Sequence, residues 1–142
     1  MTTRTITEAD DTVVAYWLAN KADAYATVLE GEKFTPTKGT PYYSLRLLED
    51  DSAQDTQGKP GNRRYLRDRV LLIECFYPAQ ISGADQGARP AVEMARQARA
   101  VFEGKTITGC HFTKGIQILS VDEDGEWISR AVRAEFFHEE IK

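Results

Sequence analysis

Histidine and cysteine are scarce in this chain, with two of each among 142 residues. So few cysteines exclude a disulfide scaffold. Few ligands remain for a histidine- or thiolate-rich metal site. His111 and His138 show no H-E-x-x-H spacing, and "VDEDGEW" lacks the twelve-residue calcium-loop pattern, so no metal is expected. Cys75 lies in one apolar run and Cys110 beside another, so both read as reduced packing thiols. On a strand, Cys110 and His111 would point to opposite faces and make a poor thiolate–imidazole pair. A more distant pairing of His138 with Cys75 has no motif behind it. Phosphate-binding loops are missing too: "GKPGNRR" has glycines and cations, but Pro60 removes a backbone donor, and no G-x-G-x-x-G occurs. These absences leave no catalytic residue and no cofactor to name, and the chain does not read as an enzyme. No apolar run reaches the roughly 20 residues that span a bilayer. "MTTRTITEADD" lacks the apolar core of a signal peptide, so secretion by that route is not expected.

What is present is an ordinary globular composition, 42% apolar and 28% charged, at a length that suits one domain. The net charge of −4 is uneven. Residues 1–51 carry five basic and nine acidic side chains, residues 52–69 five and two, and residues 70–142 eight and eleven. A net-negative protein is a poor general binder of nucleic acid. Arg63, Arg64 and Arg67 around Tyr65 keep such a module as an alternative. Specific nucleic-acid binding is not expected.

Periodicity predicts a helix from about Glu8 to Ala22, capped by Thr7, with Val13, Val14, Trp17 and Leu18 as its apolar stripe. A short strand is expected around Ala24–Leu29. "EGEKFTPTKGTP" reads as turn and irregular chain. Tyr42–Glu49 should be a strand with Tyr43, Leu45 and Leu47 on one face. A long polar loop follows at about 50–66, and loops this long are usually functional or mobile. Arg67–Tyr77 is the strongest strand, with Leu71, Ile73, Cys75 and Tyr77 sharing a face and Pro78 ending it. "AQISGADQGA" is a loop. A second helix is expected from Arg89 to Glu103, with Pro90 in its first turn, Gly104 as its stop, and Ala91, Met94, Ala95, Ala98, Val101 and Phe102 as its stripe. "GCHFTKGIQILSV" reads as strand, "DEDG" as a hairpin turn, and "EWISRAVRAEFF" as an alternating strand with Ile128, Val132, Ala134 and Phe136 on one side. The sum is an α+β fold: a mainly antiparallel sheet of about four to five strands with two amphipathic helices packed on it.

The order of these segments resembles the phage tail-terminator-like proteins, the group related to the minor tail protein U of lambda-type phages. "FTPTKGTPYYSLRLL" resembles that family's aromatic–x–Pro segment leading into its first long strand. "GNRRYLRDRVLLIECFYPA" resembles its Gly/Arg loop entering a strand that ends aromatic-aromatic-Pro. A glycine-containing loop (Gly83, Gly87), a helix ending "FEG", and "GEW" before an alternating strand ending "EFF" complete the likeness. It runs from the first helix to Phe137; Ala24–Glu32 fits less well, and His138–Lys142 has no counterpart.

The resemblance implies one tail-terminator-like domain over residues 1–142 and a structural role without catalytic residues. It implies a homo-oligomeric ring, typically hexameric, that caps the tail tube of a phage or prophage. Such a ring ends tube polymerisation and presents a surface for head joining. The implied partners are the tail tube protein and a head-completion protein, with assembly in the bacterial cytoplasm and residence in the virion tail. A ring needs a heterologous interface that closes by rotation. The loop at about 50–66 is the expected contact, with Arg63, Arg64, Arg67 and Arg69 facing acidic partners such as the N-terminal half of a neighbour. A related neck or tail-completion protein at the head–tail junction is the alternative, ahead of a small enzyme or a nucleic-acid-binding module.

Overall fold

A computed structural model describes residues 6–54, 63–79, 89–120 and 127–141. Within them, two helices pack on one side of a seven-stranded mixed sheet. The elements run α1 (Ile6–Asn20), β1 (Ala26–Leu29), β2 (Tyr42–Gln54), β3 (Arg64–Pro78), α2 (Arg89–Phe102), β4 (Thr106–Ile107), β5 (Cys110–His111), β6 (Gln117–Ser120) and β7 (Trp127–Ile141). The strand order is β1-β2-β3-β7-β5-β4, and β6 also lies against β7. Only β1 and β2 run parallel; the other pairs are antiparallel.

The α+β class agrees with the sequence reading, but the sheet has more strands than the four to five expected. The difference lies in "GCHFTKGIQILSV", which holds two strands instead of one, and in Thr106–Ile107 just before it. Thr108 (φ 42°) and Gly109 (φ 86°) are both left-handed, and Ile107 pairs with Cys110. Two successive positive φ values make a type I′ hairpin turn. β4 and β5 are therefore a tight hairpin, and β6 reaches β7 separately.

The sheet's spine is the antiparallel pair β3–β7, in register from Arg64↔Ile141 to Pro78↔Trp127. Leu71, Ile73 and Cys75 on β3 face the same way as Val132, Ala134 and Phe136 on β7, and all six are buried. Tyr43 and Leu45 extend that face across β2. Alternation drives this, since every second side chain points to the helices.

Two segments read as loop and tail are strand. β2 continues to Gln54, β3 begins at Arg64, and Ser52, Ala53 and Gln54 pair with Arg67, Leu66 and Tyr65. β7 runs on through His138 to Ile141 against the same stretch of β3. These residues are too polar to signal a strand locally, and cross-strand pairing overrides that weak propensity. The expected loop at about 50–66 thus shrinks from both sides, and its middle lies outside the described residues. So do most of "AQISGADQGA" and the "DEDG" turn.

α1 starts and ends two residues earlier than expected, so Thr7 sits inside the helix instead of capping it. Its buried residues are Ala9, Val13 and Trp17, spaced i, i+4, i+8. Leu18, expected in the stripe, points outward and is 51% exposed. Beyond the helix, the Asp23 carboxylate accepts from the Tyr25 N–H and turns the chain toward β1. α2 buries Ala91, Met94, Ala95, Ala98 and Phe102, as its periodicity predicts. Gly104 (φ 72°) terminates it in the left-handed conformation that favours glycine.

An aromatic column ties helices to sheet. Trp17 stacks on Phe102 (6.2 Å) and meets Tyr43 edge-on (5.0 Å), Phe102 meets Phe112 (4.9 Å), and Phe112 stacks on Phe136 (4.8 Å). Such pairs add about 0.5–1.5 kcal/mol each beyond burial. Phe102 touches three other rings and is fully buried. Phe102→Ala is expected to lower stability by about 3–5 kcal/mol, read as a shifted urea midpoint with an unchanged slope.

Candidate interaction surface

The four arginines singled out in the sequence do not form one exposed patch. Arg69 faces the core side of β3 and is 4% exposed. Its Nη1 lies 2.8 Å from Asp10 Oδ1 on α1, and its Nε donates to the Leu48 carbonyl at 3.4 Å. The angles at Asp10 fall short of a hydrogen bond, so the attraction there is Coulombic. Arg67, also mostly buried, sits 3.5 Å from Glu140 and lies over the Tyr65 ring at 5.2 Å. Both cations therefore serve contacts within this chain. Arg63 is half-buried, and the Arg64 side chain lies outside the described residues.

The sheet face away from the helices is different. Tyr42, Ser44, Arg46 and Leu48 share it on β2, Val70, Leu72, Glu74 and Phe76 on β3, and Ser129, Ala131, Arg133, Glu135 and Phe137 on β7. Neither described helix covers it. Phe34, Leu48 and Leu119, three of the four most exposed large apolar side chains in the described residues, lie on this side. Phe34, Tyr42, Phe76 and Trp127 form an aromatic cluster at one end. The charged side chains pair among themselves: Arg46 with Glu74 (2.9 Å), and Glu135 with both Arg133 (2.9 Å) and Lys114 (3.2 Å). Hydrogen bonds from Arg133 and Lys114 hold the Glu135 carboxyl below its usual range. A face that is apolar and internally neutralised suits a protein partner better than a polyanion.

The edge of the sheet is less inviting. β1 pairs with β2 only at Tyr42–Leu45, so the outer edge of β2 from Arg46 onward has no described partner. A register shift between Glu49 and Asp51 blunts that edge. Bulges and charges are common protections against edge-to-edge pairing.

The cysteines and histidines do not assemble into a reactive site. Cys75 and Cys110 are buried and are not joined in a disulfide. Cys75 lies opposite Arg130, whereas His138 lies opposite Arg67. The eight-residue offset along β3 separates them by roughly 26 Å at about 3.3 Å per residue. His111 stacks on Phe137 at 4.7 Å. Beside it, a narrow cavity lined by Asp68, Arg69, His111, Lys114, Glu135 and Phe137 measures about 20 Å³. That is room for about one water, far below the 300–1,000 Å³ of a small-molecule site. Among the described residues, no three His, Cys, Asp or Glu side chains lie together as metal ligands. No described helix is long and apolar enough to cross a membrane.

Comparison with known proteins adds fold and nothing finer. No protein-family profile matches the chain, and no curated protein matches it in sequence. A solved structure whose name states no activity is similar over 91% of this chain and 94% of its own, with a TM-score of 0.64 and 16% identity. At that identity the likeness concerns architecture.

A polar knot locks the end of α1 onto the sheet. Tyr43 donates to Asp23, Trp17 Nε1 donates to Thr27 Oγ1 at 2.9 Å, and Lys21 donates to the Tyr25 carbonyl. Burial, then the nearby Asp23 carboxylate, pushes the Cys75 thiol up to about 12. A thiol must ionise to react. In a Cys110→Ala background, native Cys75 is expected to resist disulfide reagents at mildly alkaline pH and to label promptly in urea. Because the raised value belongs to the folded state, its contribution is intact below the unfolded thiol's ordinary 9.0 and declines as pH rises toward 12.

The Asp10–Arg69 pair makes a second test. Asp10→Ala is expected to cost about 2 kcal/mol, less than the 3–5 of a fully buried pair because Asp10 is 31% exposed. Asp10→Ala with Arg69→Met should recover most of that in urea unfolding, since no buried charge is then left alone.

Proposed function

We propose that this chain is a structural subunit of a phage or prophage tail, one copy of a ring that caps the tail tube. The ring ends tube polymerisation and offers the surface to which the head is joined. One observation carries the reading. Both helices cover one face of the sheet, while the opposite face exposes Phe34, Leu48 and Leu119 among neutralised charge pairs. Exposed apolar area of this kind marks assembly surfaces. The order of sequence motifs supplies the choice of assembly. The expected partners are further copies of the chain, the tube protein and a head-completion protein, joined in the host cytoplasm. In this reading the ring contact does not run through Arg67 and Arg69, because both are held inside the subunit.

The reading is tested by absolute mass from light scattering after size exclusion, over a wide concentration range. A closed species of about six copies of the 16.0 kDa chain is expected. A chain that stays monomeric throughout, or that stops at a two-fold dimer, counts against it.

A further inference from the structure

The face away from the helices carries an apolar stripe. From the strand register, Leu48, Leu72, Ala131 and Leu119 fall on a diagonal across β2, β3, β7 and β6. Leu48 and Leu119 stand exposed at its two ends, Leu72 is half-buried, and Ala131, 4% exposed, forms its floor. Arg46–Glu74 flanks this stripe on one side and Arg133–Glu135 on the other. The stripe spans three strand spacings and four residues of rise, roughly 19 Å at about 4.8 Å and 3.3 Å each. The cations stand further out than the acids they neutralise: Arg46 is 44% exposed against 20% for Glu74, and Lys114 67% against 29% for Glu135. The outermost charge around the stripe is therefore positive.

On the opposite side of the same molecule, α1 shows the complement. Its fifteen residues run about 22 Å at 1.5 Å each, close to the length of the stripe. Leu18 stands outward, and Asp11 and Ala15, also exposed, lie seven and three residues before it on the same helix face. Glu8 and Asp11 are exposed on this face, Asp10 is turned inward to Arg69, and the helix holds no basic residue. Apolar residues are thus spread around α1, a pattern expected of a helix covered on more than one side.

We infer that the outer face of α1 of one copy docks along the Leu48–Leu72–Ala131–Leu119 stripe of a second copy. The two surfaces lie on opposite sides of each subunit, so the contact is head-to-tail and repeats from copy to copy. This inference rests on the ring reading and supplies its interface. Leu18 enters the stripe, and the acidic start of α1 lies among the cation heads of Arg46, Arg133 and Lys114.

The experiment uses the full chain with Leu18→Glu on the helix and Leu48→Glu on the stripe. Ala15→Glu and Leu119→Glu serve as second variants. All four positions are exposed, so circular dichroism and thermal unfolding should match the parent. Each variant alone is expected to lose every species above the monomer in light scattering. Mixing Leu18→Glu with Leu48→Glu should restore a two-copy species and nothing larger, because one chain keeps a working stripe and the other a working helix. If folded variants on both surfaces still assemble like the parent, the interface lies elsewhere and the ring reading stands. If each is monomeric and the mixture stays monomeric, the two surfaces do not meet, and each takes another partner. If the parent itself never exceeds a dimer, both the interface and the ring are overturned.

Discussion

The packing of Phe102 between Trp17 and Phe112 is the contact on which the rest of the molecule depends. It places α2 against α1 and, through Phe112 and Phe136, against the longest strands of the sheet. Without it, α2 would hold the sheet mainly by Ala91, Met94, Ala95 and Ala98. Both helices are committed to one layer, so neither of them covers the sheet's second face. A two-layer domain normally hides one sheet face and leaves the other polar. Here the other face is only partly polar, and that mismatch is the main pointer to assembly.

Charge reinforces the same division. The cations nearest the core are held within the chain, Arg69 on α1 and Arg67 on the end of β7. On the uncovered face each described pair is closed, and the pairs bracket apolar side chains. Closed pairs on a surface add little to stability. They reduce the desolvation cost when another protein settles over them, because fewer lone charges lose water.

Much of this was legible in the sequence. The faces of β2 and β3 follow from Tyr43-x-Leu45 and Leu71-x-Ile73-x-Cys75, and α2 follows from its spacing between Pro90 and Gly104. Leu18 was not legible, because on a helix with apolar residues on several sides, periodicity alone cannot choose the buried one. The β4–β5 turn was hidden because Thr108 is an unusual residue for a positive φ. The outer ends of β2 (from Asp50), β3 (up to Leu66) and β7 (from His138) read as loop and tail, since each needs its neighbour as a partner and none announces itself alone. The candidate surface was missed for the same reason. Its residues come from four strands, and only the register brings Leu48, Leu72, Ala131 and Leu119 into line.

The position of β7 also has a consequence for how the protein is made. It lies inside the sheet, between β3 and the strands β5 and β6, yet it is the last of the described strands in the chain. During translation, β3 would wait for its neighbour while the 48 residues between them are made, about a third of the chain. The buried row Leu71, Ile73 and Cys75 would meanwhile lack its partner row on β7. Pairings this distant in sequence form slowly and leave apolar strand surface open to other contacts. The sheet of the nascent chain therefore closes only once β7 has emerged, and its core forms late and all at once.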